Sequence, residues 1–214
     1  VPAALSVAEE NLEGGDAELA FHVASNLIDK KDEALTPARR IRALMVQSSA
    51  ALALEQPAKA LDAFREVLAD ERLHAGALRA LADLLADEGR SIEAIQHYLR
   101  VLLVEEDSQQ RGEVYRRMGF LWEDAINNTY EGAACYDRAM EAGLDDPTLL
   151  RRALKHLVRH QERDKALNVV DALLPVTEDP QEMADLWVAQ GTVFTQGDDD
   201  LEKATEAFDM ALSY

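Results

Sequence analysis

The feature that most constrains this chain is its self-similarity. The segments PAKALDAFREVL, SIEAIQHYLRVL, DKALNVVDALL and LEKATEAFDMAL share one frame, a small Ala followed four residues later by Phe, Tyr or Val. Small residues of this kind fall at Ala20, Ala60, Ala94, Gly132, Ala166 and Ala204, at intervals of 40, 34, 38, 34 and 38. Periods of this length are the signature of stacked supersecondary units, each of which buries its apolar face only against its neighbours. Upstream of each small residue, apolar positions recur at i, i+3, i+4 and i+7, which is one face of an α-helix. The chain therefore predicts helical hairpins. Short polar turns separate the two helices: GGD (14–16), EQP (55–57), EGRS (88–91), NNT (127–129) and QGDDD (196–200). These are turn and N-cap residues where a hairpin needs them.

The motifs are similar to those of the tetratricopeptide repeat family. That family pairs W-x2-L-G-x2-Y on a first helix with A-x3-F on a second. The fourth unit reads Tyr115-x2-Met118-Gly119-x2-Trp122, then Gly132-x3-Tyr136-x2-Ala139. The sixth reads Trp187-x2-Gln190-Gly191-x2-Phe194, then Ala204-x3-Phe208-x2-Ala211. The third has Leu78, Leu81, Ala82 and Leu85, then Ala94, Tyr98 and Val101. Units five, two and one are more degenerate; the second keeps Ala60 and Phe64, with the register of its first helix open by one residue. The resemblance covers nearly the whole chain. It implies an all-α fold, an α-solenoid of stacked antiparallel helical hairpins in a right-handed superhelix, with about twelve helices. The expected units are approximately 1–36, 37–70, 71–107, 108–146, 147–178 and 179–214, in one array without a long linker. Longer spacings are taken up around KKDEALTP, VEEDSQQR and PVTEDPQE. The sequence stops at DMALSY without a polar capping element and starts at Val1, so it reads as a fragment of a longer protein.

Composition bears on function. With 41 acidic and 22 basic residues the net charge is −19, which repels phosphate backbones and anionic lipid. No nucleic-acid or direct membrane binding is expected, and no run of about 18 apolar residues suggests a bilayer span. The single cysteine, Cys135, rules out an internal disulfide framework and fits a reducing compartment. Together these suggest a bacterial, cytoplasmic, acidic protein that is monomeric as a fragment. No dinucleotide, P-loop, zincin, CxxC or nucleophile-elbow motif is present, so no enzymatic activity, cofactor or metal is expected. His156 and His160 are four apart on one helix but lack a third ligand, and read as surface histidines. Asp198, Asp199 and Asp200 lack the alternating oxygens of a calcium loop and read as a helix cap. Cys135 reads as a packing residue.

The resemblance also implies where a ligand would lie, along a concave surface lined by first helices. At the matching positions stand Arg79, then Arg116, then Arg151, Lys155 and Arg159, with Arg117 and Arg152 beside them and Phe120 as an apolar anchor. Residues 147–180 carry 6 basic and 5 acidic residues, whereas residues 181–214 carry 1 and 8. Local positive potential in an acidic shell would attract an acidic segment, since Arg grips carboxylates bidentately. Arg151 and Lys155 match the i, i+4 basic pair of the carboxylate clamp in tetratricopeptide co-chaperones. The clamp's asparagines are replaced by Asp83 and Phe120, so only an acidic ligand in general is implied. The competing reading pairs these cations with Asp83, Glu113 and Glu123. The expected function is thus a scaffold or adaptor that binds a protein or peptide partner in the groove. The alternative is a module that self-associates through its ends or convex face, with Phe208, Met210, Leu212 and Tyr214 at the C-terminal edge.

Overall fold

The computed structural model describes residues 2–29, 35–196 and 200–214. Residues 30–34, within the KKDEALTP extension, and Asp198 and Asp199 of the last turn lie outside the described residues. Twelve α-helices make up the described chain, which is 81% helical and without a strand among the described residues. They are α1 (Pro2–Glu13), α2 (Ala17–Asp29), α3 (Pro37–Ala53), α4 (Pro57–Asp70), α5 (Ala75–Asp87) and α6 (Ser91–Val101) in a first unit, Val1–Glu106. The second unit, Asp107–Tyr214, holds α7 (Ser108–Phe120), α8 (Thr129–Glu141), α9 (Pro147–Arg159), α10 (Arg163–Leu173), α11 (Pro180–Thr195) and α12 (Leu201–Leu212). Within each unit odd and even helices pack as successive pairs, and first helices also meet across pairs, α1 on α3 and α9 on α11.

Local chemistry explains where the helices begin. Pro37, Pro57, Pro147 and Pro180 occupy the first turns of α3, α4, α9 and α11, where their missing N–H leaves no bond unmade. Side chains of Asp107, Asp146 and Asp179 accept the amides of Gln110, Leu149 and Glu182 at 2.8, 2.8 and 2.9 Å. These acidic caps satisfy a free amide and sit at the positive end of the helix dipole. Inside the pairs, the turns close through a residue in the left-handed region: Gly15, Glu55, Gly89, Asn127 and Gln161. The turn at Gln161 carries none of the usual turn residues, so composition alone did not mark it.

The core is built from small residues facing large ones. Ala20, Ala60, Ala94, Ala166 and Ala204 are all buried, and Gly132 is buried with them. In unit 1, Leu44, Ser48 and Ala51 are buried, and Ser48 precedes Ala60 by the same interval as Ala82 precedes Ala94. That fixes the register of α3, which the sequence left open by one residue. In unit 2 a continuous apolar cluster runs from Tyr136 to Val193, with Leu149, Val170 and Leu173 fully buried. Close approach has a visible cause there. A Cβ on Gly119 would lie 2.7 Å from Tyr136 Cδ1, and one on Gly191 would lie 2.7 Å from Phe208 Cε1. The aromatic ring of the second helix therefore rests on the glycine of the first.

Two helices run on beyond α geometry, α10 into a short 3-10 turn at Leu174–Val176 and α7 into a wider one. Beyond α7 the chain runs through a π-helical turn, Leu121–Ala125. Such turns shift the following side chains by one position around the helix and often lie at functional places. Here the turn carries Glu123 and Asp124, and Glu123 lies against α8, where a Cβ on Gly132 would be 3.4 Å from Glu123 Cβ.

Candidate functional site

The structure sorts the predicted residues into three groups. Arg79, on α5 in unit 1, forms an ion pair with Glu105 at 2.6 Å, with both side chains largely covered. In unit 2, Arg116 donates through Nε and Nη2 to the two oxygens of Glu113 at 2.8 and 2.6 Å, and Arg117 Nε reaches the same carboxylate at 3.2 Å. Those bonds from Arg116 and Arg117 hold the Glu113 carboxyl below the usual carboxylate range, against the opposing effect of burial. The half-buried Phe120 ring is faced by two guanidinium groups, with Arg116 Cζ at 5.1 Å and Arg152 Cζ at 4.6 Å from its centroid. It also meets Tyr136 edge to face at 5.9 Å.

Arg152 belongs to a polar cluster centred on Glu123. Its Nη1 donates to Glu123 Oε2 at 3.0 Å and to Asp124 Oδ1 at 2.7 Å. Tyr136 OH donates to the same Glu123 oxygen at 2.5 Å, and His156 Nε2 lies 3.5 Å from Glu123 Oε1. Burial pushes the Glu123 carboxyl upward, but the bonds from Tyr136 and Arg152 outweigh it and leave it below its ordinary value. Burial, and then the hydrogen bond to Glu123, push the Tyr136 hydroxyl well above the ordinary tyrosine range. His156 is 7% exposed and packs beside the Tyr136 ring, whereas His160 is exposed at the end of α9. The reading of both as surface histidines is thus corrected for His156. The i, i+3, i+4 face of α9 turns it inward with Leu149, Ala153 and Leu157.

The third group lines a groove of about 540 Å³ between α9 and α11. Leu154 and Val158 from α9 face Leu186 and Ala189 from α11, giving an apolar floor. Arg151 and Lys155 stand on one wall, and Glu182 and Asp185 on the other. Arg151 Nη2 spans the groove to Glu182 Oε2 at 3.0 Å. Lys155 and, one turn further on, Arg159 are exposed and form no ion pair among the described residues. Sequence reasoning did not name the far wall. The positions that gave Arg151 and Lys155 in the fifth unit correspond in the sixth to Val188 and Thr192, and both line the groove, Val188 being 46% exposed. Extending the same positional rule by one repeat would have found them.

Remaining features are structural. Burial pushes the Cys135 thiol up to about 11, so it stays protonated and inert at neutral pH. Asp200 stands at the N-cap position of α12, but its side chain makes no capping bond; it accepts instead from Arg163 and, at 3.0 Å, from Lys203. No helix among the described residues is long and apolar enough to cross a membrane.

No family model matches the chain, and no curated protein matches it in sequence. Solved structures do resemble it. Pseudomonas aeruginosa PilF is 16% identical with a TM-score of 0.63, covering 100% of this chain and 87% of that one. YrrB, described as a TPR protein with an unusual peptide-binding site, is 18% identical with a TM-score of 0.58, covering 80% of this chain and 84% of YrrB. A double mutant of MamA from RS-1 is 14% identical with a TM-score of 0.65, covering 82% and 93%. At these identities the likeness defines the fold. It is the tetratricopeptide-like helical solenoid of stacked hairpins.

Proposed function

We propose that this chain is a non-enzymatic scaffold that binds a segment of a partner protein in the groove between α9 and α11. One observation carries the reading. The groove joins an apolar floor to the cation Lys155, with Arg159 exposed one turn further along α9, and fold stability requires neither, because surface charges of this kind contribute little. A segment lying there would place an apolar side chain against Leu154, Leu186 and Val188 and a carboxylate beside Lys155 and Arg159. Arg151 can exchange Glu182 for a ligand carboxylate at little cost, since both partners are solvent-accessible. The fold-level likeness to YrrB, a peptide-binding protein, agrees with this reading by analogy. Arg79, Arg116, Arg117 and Arg152 serve mainly to position neighbouring acids, and Phe120 is held between two of them.

Selection from a displayed peptide library tests the proposal. Peptides combining acidic and apolar residues should be enriched, and the double substitution Lys155→Glu with Arg159→Glu should weaken them at least about tenfold, or 1.4 kcal/mol. Equal binding by the variant would move the site away from α9. A second reading, self-association at the C-terminal edge, is favoured by the exposure of Met210, Leu212 and Tyr214 at 41%, 86% and 56%. Phe208 is not part of that surface, since its ring rests on Gly191. Light scattering over a concentration series separates the two, because the groove reading leaves mass constant.

A further inference from the structure

Unit 1 carries a basic hollow on a different set of helices. Arg65 lies on α4, Arg72 in the turn just after it, Arg90 at the N-cap of α6 and Arg100 in its last turn. All four line one cavity of about 470 Å³, whose floor includes Leu81 and Leu85 of α5. Convergence of four guanidinium groups is costly unless something compensates it, and in a chain with 41 acids and 22 bases carboxylates are not scarce. Yet few are used here. Glu93, the one carboxylate among the described lining residues, is taken by Arg90 through two bonds of 2.8 and 2.7 Å. Among the described residues Arg65 pairs with Asp62 alone, at 3.4 Å with both side chains exposed. Arg100 donates to the backbone carbonyl of Arg72 and approaches His97 Nδ1 at 3.4 Å, with no carboxylate partner among the described residues. Arg72 forms no ion pair among the described residues.

The environment of His97 is consistent with uncompensated positive charge. Burial first, and then the adjacent Arg100, hold its imidazole below the usual histidine range; Glu93 opposes this and Arg65 adds to it. An anion in the hollow would reverse the electrostatic part of that effect.

We propose that this hollow binds a phosphoryl group, gripped by the guanidinium forks of Arg65, Arg72 and Arg100, with the body of the ligand against Leu81 and Leu85. A carboxylate offers two oxygens and one charge, which one fork satisfies. Three forks outside the Arg90–Glu93 pair match the three oxygens and near-double charge of a phosphoryl group. The site lies in unit 1 and does not depend on the groove between α9 and α11.

The test follows the His97 ring by NMR as inorganic phosphate is added at constant ionic strength set with chloride. The histidine should titrate about one pH unit higher in saturating phosphate, a tenfold change in proton affinity. The double variant Arg65→Gln, Arg72→Gln should bind phosphate at least about tenfold more weakly. Both residues are exposed, and helicity is checked by circular dichroism; the single variant Arg72→Gln, which breaks no ion pair, keeps the test valid if the double variant unfolds. A leucine-flanked phosphoserine peptide and its serine form distinguish the sources. Tighter binding of the phosphopeptide than of phosphate points to a phosphorylated protein segment, and equal binding to a small phosphate compound. No change in the His97 titration, or a response that the variants retain, overturns the proposal.

Discussion

Glu123 shows how much one residue decides. Its carboxylate receives Tyr136 OH and Arg152 Nη1, so one side chain from α8 and one from α9 are oriented by one acceptor, with His156 Nε2 3.5 Å away. A neutral amide in its place accepts at only one atom and carries no charge. Glu123→Gln should therefore cost about 1.5–3 kcal/mol, the usual range for bonds to a charged group. The pH dependence has a definite sign. A carboxyl held below its free value of 4.5 stabilises the fold above that pH and loses the contribution as pH falls through the folded value. Wild type should lose stability below about pH 4.5, and Glu123→Gln should flatten that acid limb in denaturant melts. An unchanged limb would mean that Glu123 is not held by these bonds. Glu113, lowered through Arg116 and Arg117, adds a share of the same sign.

At the scale of the element, two hairpins, α7–α8 and α11–α12, depend on a glycine beneath an aromatic ring. Phe208 lies so close to Gly191 that any Cβ there must displace the ring or separate α11 from α12. Alanine is the better helix former by about 1 kcal/mol, whereas overpacking a tight core costs about 1–3 kcal/mol. Packing wins: Gly191→Ala should destabilise the protein by about 1–2 kcal/mol. Trimming the ring with Phe208→Leu should recover part of that loss, so a double-mutant cycle should give a favourable coupling. If Gly191→Ala instead raises the midpoint in urea, helix propensity outweighs the contact. The π turn belongs to this scale as well, since it brings Glu123 to Tyr136, Arg152 and His156.

For the whole molecule the dominant fact is charge. A net charge of −19 opposes compactness through self-repulsion, and ion pairs cannot reduce it, since 41 acids exceed 22 bases however they are paired. Screening length falls from about 30 Å at 0.01 M salt to about 8 Å at 0.15 M. Most repelling carboxylates are farther apart than the paired groups are, so salt weakens repulsion more than pairing. The melting temperature should rise by about 2–4 °C over that range, equivalent to about 1 kcal/mol for a chain of this size. A fall in calorimetric melting temperature would show that the ion pairs outweigh the net charge.

The sequence by itself determined the helical hairpins, their number and most of their turns. Those features rest on local periodicity, small residues at repeated positions and capping side chains, all of which act within a few turns of chain. Trp187, Gly191 and Phe208 mark their hairpin without any knowledge of neighbours. It also named the cations of the candidate site, because position within a repeat determines which way a side chain leaves its helix. Only the tertiary structure decided which of them are engaged. Arg152 meets Glu123, 29 residues away, and Arg151 meets Glu182, while Lys155 and Arg159 meet no acid among the described residues. Arg65, Arg72, Arg90 and Arg100 share no motif in the sequence, and only the packing of α4 and α6 brings them to one hollow. Periodicity fixes the face of a helix, but the distance between two charges on different helices depends on packing and, for the π turn, on a one-residue shift.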